Sequence, residues 1–175
     1  MKKVARTVCL LMVGALLALA VNAAIASPNP ERATNVTGNR ISQVRTKYGN
    51  VAIGTVGPWK LVDKTTMTIP AGTHAFFDTR VDVWGYCQGA ASTTGTCSLR
   101  VLVNGVETGP SELEFVTTQN ASNGNDNAGQ WMIERSSKVL GPGTYTIRVQ
   151  HGAGGDPSTY FGIDAWHMTF ERVTV

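Results

Sequence analysis

Beyond residue 26 the sequence has no segment that holds a helical period for three turns, which argues against helix bundles and alternating α/β architectures. It also lacks a G-x-S-x-G elbow, an H-E-x-x-H pair and a glycine-rich phosphate loop. Those absences remove the local signatures of α/β-hydrolases, zinc peptidases and nucleotide-binding domains. Histidine is scarce: His74 and His151 fall near expected strand ends and His167 inside the last strand. An extracellular hydrolase would therefore have to assemble a His/Asp/Ser set from distant segments. Asp78 and Asp82 share a strand face as a glycosidase pair would, but Arg80 lies between them, and a charge ladder is the simpler reading.

Long apolar runs are missing too. The run from Val8 to Val21 is too short to span a bilayer. Lys2, Lys3 and Arg6 precede it, and Ala24 and Ala26 follow in the spacing that signal peptidase reads, so residues 1–26 are expected to be a signal peptide. Cys9 stands at the front of the run, which argues against a lipid anchor. The expected product is secreted and extracellular, with no membrane attachment after cleavage. Taking those three basic residues from the fifteen Lys and Arg leaves twelve against twelve Asp and Glu, a neutral mature chain. No basic cluster remains in the sequence to displace counterions from a phosphate backbone, so nucleic acid is not an expected partner.

Only two cysteines remain after Cys9 is removed. Cys87 and Cys97 flank the polar stretch "QGAASTTGT", and no histidine near in sequence completes a metal set. In an oxidising compartment the expectation is a structural disulfide.

What is present is alternation. Residues 27–50, poor in large apolar side chains, read as a flexible lead-in, and residues 51–175 as one domain. Trp59, Leu61, Met67 and Ile69 fall on one side of the first run. In the next, Ala75, Phe77, Val81 and Val83 oppose Phe76, Asp78, Arg80, Asp82, Trp84 and Tyr86. Leu99, Val101 and Val103, then Tyr145, Ile147 and Val149, then Trp166, Met168 and Phe170 repeat the pattern. Period two belongs to half-buried strands. Asn104-Gly105 between two such runs requests a type I′ hairpin. The phrase "TIPAGTHAFFDTRV" recurs as "VLGPGTYTIRVQHG", in each case a Pro/Gly turn followed by a β-branched start. These features predict an all-β fold, an antiparallel two-sheet β-sandwich of jelly-roll-like type.

The order of phrases carries a resemblance. "IPAGT" leads into "TRVDV", then come "VLVNGV", "NAGQW", "VLGPGTYTIRV" and a closing "GIDAWHMTF". The series resembles the galactose-binding-like β-sandwiches, especially carbohydrate-binding module families six and thirty-five, over nearly all of residues 51–170. The resemblance implies a non-catalytic module that holds a polysaccharide or glycan at the loops of one edge or on the concave sheet face. Trp131 matches the loop-edge tryptophan and Asp164 the acid of the closing strand. The chain departs from the pattern at Gly162, where an Asn usually precedes that acid, and in lacking the acidic opening strand of the family's structural calcium site.

Five residues form the candidate ligand set: Trp84, Tyr86, Trp131, Tyr160 and Asp164. Ring faces stack on sugar C–H faces while acids and arginines bond hydroxyls. For Trp84 and Tyr86 two readings are open, an exposed platform or burial under the disulfide loop. Trp131 and Tyr160 each follow a polar loop, and Trp59 and Trp166 are assigned to the core. The loop Asn120–Gly129 imitates calcium-ligand spacing, yet it has Ala128 where a Gly is required, and its carboxylate Asp126 falls between ligand positions. No metal, cofactor or catalytic residue is therefore expected. Asn35 and Asn120 begin glycosylation sequons. The alternative function is a secreted structural or protein-interaction domain.

Overall fold

The computed structural model describes residues 31–89, 95–110, 113–118 and 127–175, of which 32–175 form one compact unit. The expected signal peptide and most of the Asn120–Gly129 loop lie outside the described residues. The described elements are all strands: β1 Glu31–Thr37, β2 Arg40–Thr55, β3 Lys60–Ile69, β4 Ala75–Gln88, β5 Gly95–Val103, β6 Val106–Glu107, β7 Leu113–Thr118, β8 Asn127–Ser136, β9 Gly143–Gly155 and β10 Tyr160–Thr174. They pair into two antiparallel sheets, in the orders β1-β2-β10-β4-β8 and β3-β9-β5-β6, with β7 also on β5. The predicted two-sheet sandwich is what forms.

The alternating residues meet between the sheets. Phe77, Val81 and Val83 of β4 and Phe161, Ile163, Trp166, Met168 and Phe170 of β10 oppose Met67, Ile69, Leu99, Val101, Ile147 and Val149, all buried. Each such side chain contributes about 1.5–3 kcal/mol by leaving water. The hairpin at Asn104 and Gly105 has positive φ at both residues, 49° and 85°, as a type I′ turn demands. The disulfide forms: Cys87 on β4 joins Cys97 on β5 with Cα atoms 6.0 Å apart, tying one sheet to the other. The repeated turn phrases lie together, Thr68 paired with Thr144 and Ala75 bridged to Leu140.

Two expectations are corrected. Residues 31–37 and 40–50 are not a flexible lead-in; they are β1 and most of β2, and Arg40–Tyr48 pairs with β10 in continuous register. Aliphatic residues are sparse there because β2, flanked by β1 and β10, meets β3 of the other sheet through polar rungs. The buried Arg45 reaches Asp63 of β3 at 2.7 Å, and Thr65 donates to Gln43 at 2.6 Å. Leu61 also leaves the predicted face. A bulge between Leu61 and Asp63 reverses the alternation, exposing Leu61 and packing Val62 on the core. At the far edge Arg135 of β8 is buried too; burial disfavours its cation, and Glu107 of β6 opposes that effect.

Candidate functional site

The outer face of the first sheet is organised by β10, which is paired along its length with β2 on one side and β4 on the other. A bulge at Asp164 shifts its register between Ile163 and Ala165. Gly85 permits that bulge, because a Cβ there would stand 2.2 Å from the Gly162 carbonyl oxygen. Beyond the bulge, Ala165 points outward and is the cross-strand partner of both Tyr48 and Trp84. The next outward row sets His167 between Thr46 and Asp82.

These rows make a groove of about 330 Å³ lined by Thr46, Tyr48, Asp82, Trp84, Gln130 and His167, with Ala165 between the rings. Tyr48 is 76% exposed and Trp84 54% exposed. Two interstrand steps separate their backbones by about 9.6 Å. Thr46 Oγ1 and His167 Nδ1 share a 2.9 Å hydrogen bond, and Arg80 Nε donates to Asp82 at 3.2 Å. The groove thus offers two aromatic side chains beside a small floor, with a carboxylate and an imidazole in the adjacent row and an amide beyond Trp84. Among the described residues no cluster of three or more His, Cys, Asp or Glu could hold a metal ion.

Of the predicted ligand residues, Trp84 lines the groove and is not buried beneath the disulfide loop. Tyr86 and Tyr160 lie farther along the same outer face, half-buried, edge to face with centroids 5.8 Å apart. Gly162 has a structural reason to be glycine: a Cβ there would stand 2.2 Å from Tyr86 Cζ, so the tyrosine ring occupies that space. Trp131 turns the other way. It pairs with the inward Val83 and packs edge-on against the core Phe161, with ring centroids 6.1 Å apart. Asp164 sits in the bulge, half-exposed, and is not among the groove-lining residues.

Tyr48, Thr46, Ala165 and His167 were not in the predicted set. Tyr48 fell inside the expected lead-in, where inward Gln43 and Arg45 erase the apolar alternation that marks a strand. The signal that was available is the β-branched spacing of Val44 and Thr46 leading to Tyr48.

The other histidine and tryptophan expectations are revised as well. His151 is not near a strand end; it is 1% exposed in β9, edge-on to Phe161. Burial, then the nearby Lys60 charge, pushes its pKa down to about 4. Trp166 is core, but Trp59 is half-buried with the Arg100 guanidinium 4.2 Å over its ring.

No family model matches the chain, and no curated protein matches it. Solved structures with a similar course include latent PorU from Porphyromonas gingivalis, at 9% identity and a TM-score of 0.38, covering 84% of this chain and 14% of that one. The chain therefore spans about a seventh of that protein. The CBM36-1 domain of a multidomain xylanase from the hindgut metagenome of Trinervitermes trinervoides is 14% identical, with a TM-score of 0.30, covering 82% and 86% of the two chains. A family 35 carbohydrate-binding module from an environmental isolate is 13% identical, with a TM-score of 0.28, covering 69% and 83%. Each is a loose likeness at the level of the β-sandwich.

Proposed function

We propose that the chain is a secreted, non-catalytic carbohydrate-binding module that holds sugar in the groove between Tyr48 and Trp84. The observation that carries this reading is the pair of exposed rings on either side of Ala165 in one ladder row. Large aromatics are usually well buried, and exposing two beside a small residue has a cost that a ligand offsets. Two stacking contacts of about 3.5–4.0 Å each fit within the backbone separation of the two strands, so a sugar ring over Ala165 is within reach of both side chains. Asp82 accepts hydroxyl hydrogen bonds, and Gln130 both donates and accepts.

Binding is favoured over catalysis by the backbone around His167. His167 and Asp82 face each other across β10 and β4, yet Asp82 pairs with Arg80 and His167 with Thr46. The β10 backbone is laddered on both sides here, which leaves no preorganised N–H pair for a developing oxyanion. The reading is tested by retention on a panel of insoluble polysaccharides. Wild-type retention on at least one, lost in Trp84→Ala, is expected. Retention on none, or equal retention of both proteins, refutes it.

A further inference from the structure

The mature chain is neutral in total, yet the fold gathers positive charge that the linear sequence scatters. A cavity of about 630 Å³ lies among β1, β2, β3 and β9 and is lined by Arg32, Lys64 and Arg148 together with Thr34, Thr66 and Thr146. Lys64 and Arg148 are direct cross-strand partners. Two like charges opposite one another on a sheet repel and destabilise the pairing. Among the described residues none of these three cations forms an ion pair. Asp63 is turned inward to the buried Arg45, and Arg32 is close enough that its charge acts on both members of that pair. The cavity thus gathers three cations that form no ion pair among the described residues, together with threonine hydroxyls. Its volume is in the range of small-ligand sites.

We propose that this cavity is a second ligand site, separate from the aromatic groove, which takes a phosphate monoester carried on a hydroxylated molecule such as a sugar. A phosphate monoester brings a charge of about −1.5 to −2 at neutral pH and three acceptor oxygens. It therefore separates the Lys64 and Arg148 charges with a counter-charge and still engages Arg32. A carboxylate or sulfate ester, with one charge, leaves more of the repulsion in place. The threonine hydroxyls bond the hydroxylated scaffold. A basic depression of this size, with the exposed Arg32, Lys64 and Arg148 clustered around it, suits such a ligand better than an extended polymer backbone, which needs a stripe of charge.

The test is calorimetric titration of the full-length chain with glucose 6-phosphate, glucose 6-sulfate, inorganic phosphate and glucose. The expected result is saturable binding of glucose 6-phosphate, tighter than the sulfate ester and inorganic phosphate, and weakened at least tenfold in K64Q/R148Q. That variant is expected to unfold at the same or higher temperature than wild type, because it removes a repulsive pair. If it does not fold, the single variant K64Q serves, with a smaller loss of affinity expected. W84A is expected to bind glucose 6-phosphate as wild type does, which separates this site from the groove. The proposal is overturned by absent binding, by undiminished binding in a folded K64Q/R148Q or K64Q, or by loss of binding in W84A. Tighter binding of a twelve-nucleotide oligothymidylate, lost in the same charge variant, would assign the cavity to nucleic acid and also overturn it.

Discussion

Replacing Arg45 by Met removes one half of an ion pair that joins β2 of one sheet to β3 of the other. Arg45 is 4% exposed and Asp63 12% exposed, with 2.7 Å between Nη1 and Oδ2. Arg45 Nη1 also donates to the Lys64 carbonyl. Burial raises the Asp63 carboxyl above its ordinary value, while Arg45 pulls it back. Burial likewise disfavours the Arg45 cation, with Asp63 opposing it. Removing one partner of a buried pair costs about 3–5 kcal/mol, because the other charge stays behind. The partial exposure of Asp63 favours the low end, about 3 kcal/mol. For a domain of this size that lowers Tm by about 6–12 °C. An Asp with a raised folded pKa binds its proton more tightly when folded, so its contribution grows as pH falls through that value. Without Arg45 the carboxyl rises further, so the deficit is largest at pH 7 and shrinks at pH 5. The assay is urea unfolding of wild type, R45M and R45M/D63L at both pH values. The double variant should recover most of the loss. A deficit below about 1 kcal/mol at pH 7, or no recovery in the double variant, would refute the reasoning.

His151 predicts the opposite pH trend. With a folded pKa near 4 against about 6.5 unfolded, it contributes stability in full above pH 6.5 that is lost as pH falls toward 4, about 3 kcal/mol in all. His151→Leu should flatten the urea midpoint across that window, and an unchanged slope would contradict the assignment. Gly85→Ala sets a Cβ against the Gly162 backbone carbonyl, whereas Gly162→Ala meets the end of the Tyr86 ring, which can swing outward. Thermal unfolding should show Gly85→Ala losing roughly 2–3 kcal/mol and Gly162→Ala less; the reverse order would contradict the bulge account. Removing the disulfide as Cys87→Ser/Cys97→Ser should cost about 2.7 kcal/mol for a separation of ten residues. Denaturant midpoints measure that loss, and no loss would mean the closed loop does not constrain the unfolded chain.

The sandwich was legible because its central strands obey the simplest rule. Phe77, Val81 and Val83 alternate with polar neighbours, and only a half-buried strand needs that. Strand β2 was not legible, because its inward positions carry Gln43 and Arg45, which pair with Thr65 and Asp63 of β3 in place of aliphatic contacts. That one substitution of mechanism hid Tyr48, and with it half of the groove. Trp84 was readable from its parity on β4, opposite the valines. Trp131 was misplaced because strand β8 begins before it, at Asn127, so its parity follows Ile133 and the core. Ala165 leaves no trace in a sequence, since a groove floor is recognised by what stands on either side of it. The basic cavity was invisible for a related reason: Arg32, Lys64 and Arg148 lie far apart in the chain, and register alone brings the last two together.

The most direct measurement of the central claim is a fluorescence titration with the soluble oligosaccharide of whichever polysaccharide retains the protein. Trp84 is the exposed tryptophan of the groove, while Trp166 is buried and Trp131 packs on the core, so Trp84 emission reports ligand in the groove in the wild type, Tyr48→Ala and Ala165→Arg. Trp84→Ala, which removes the reporter, is titrated by calorimetry. Losing one stacked ring should cost about 1–2 kcal/mol, a weakening of about five- to thirtyfold in each of Tyr48→Ala and Trp84→Ala. Ala165→Arg, which fills the space between the rings, should abolish the response. Saturable binding that survives all three substitutions would place the sugar elsewhere and contradict the account.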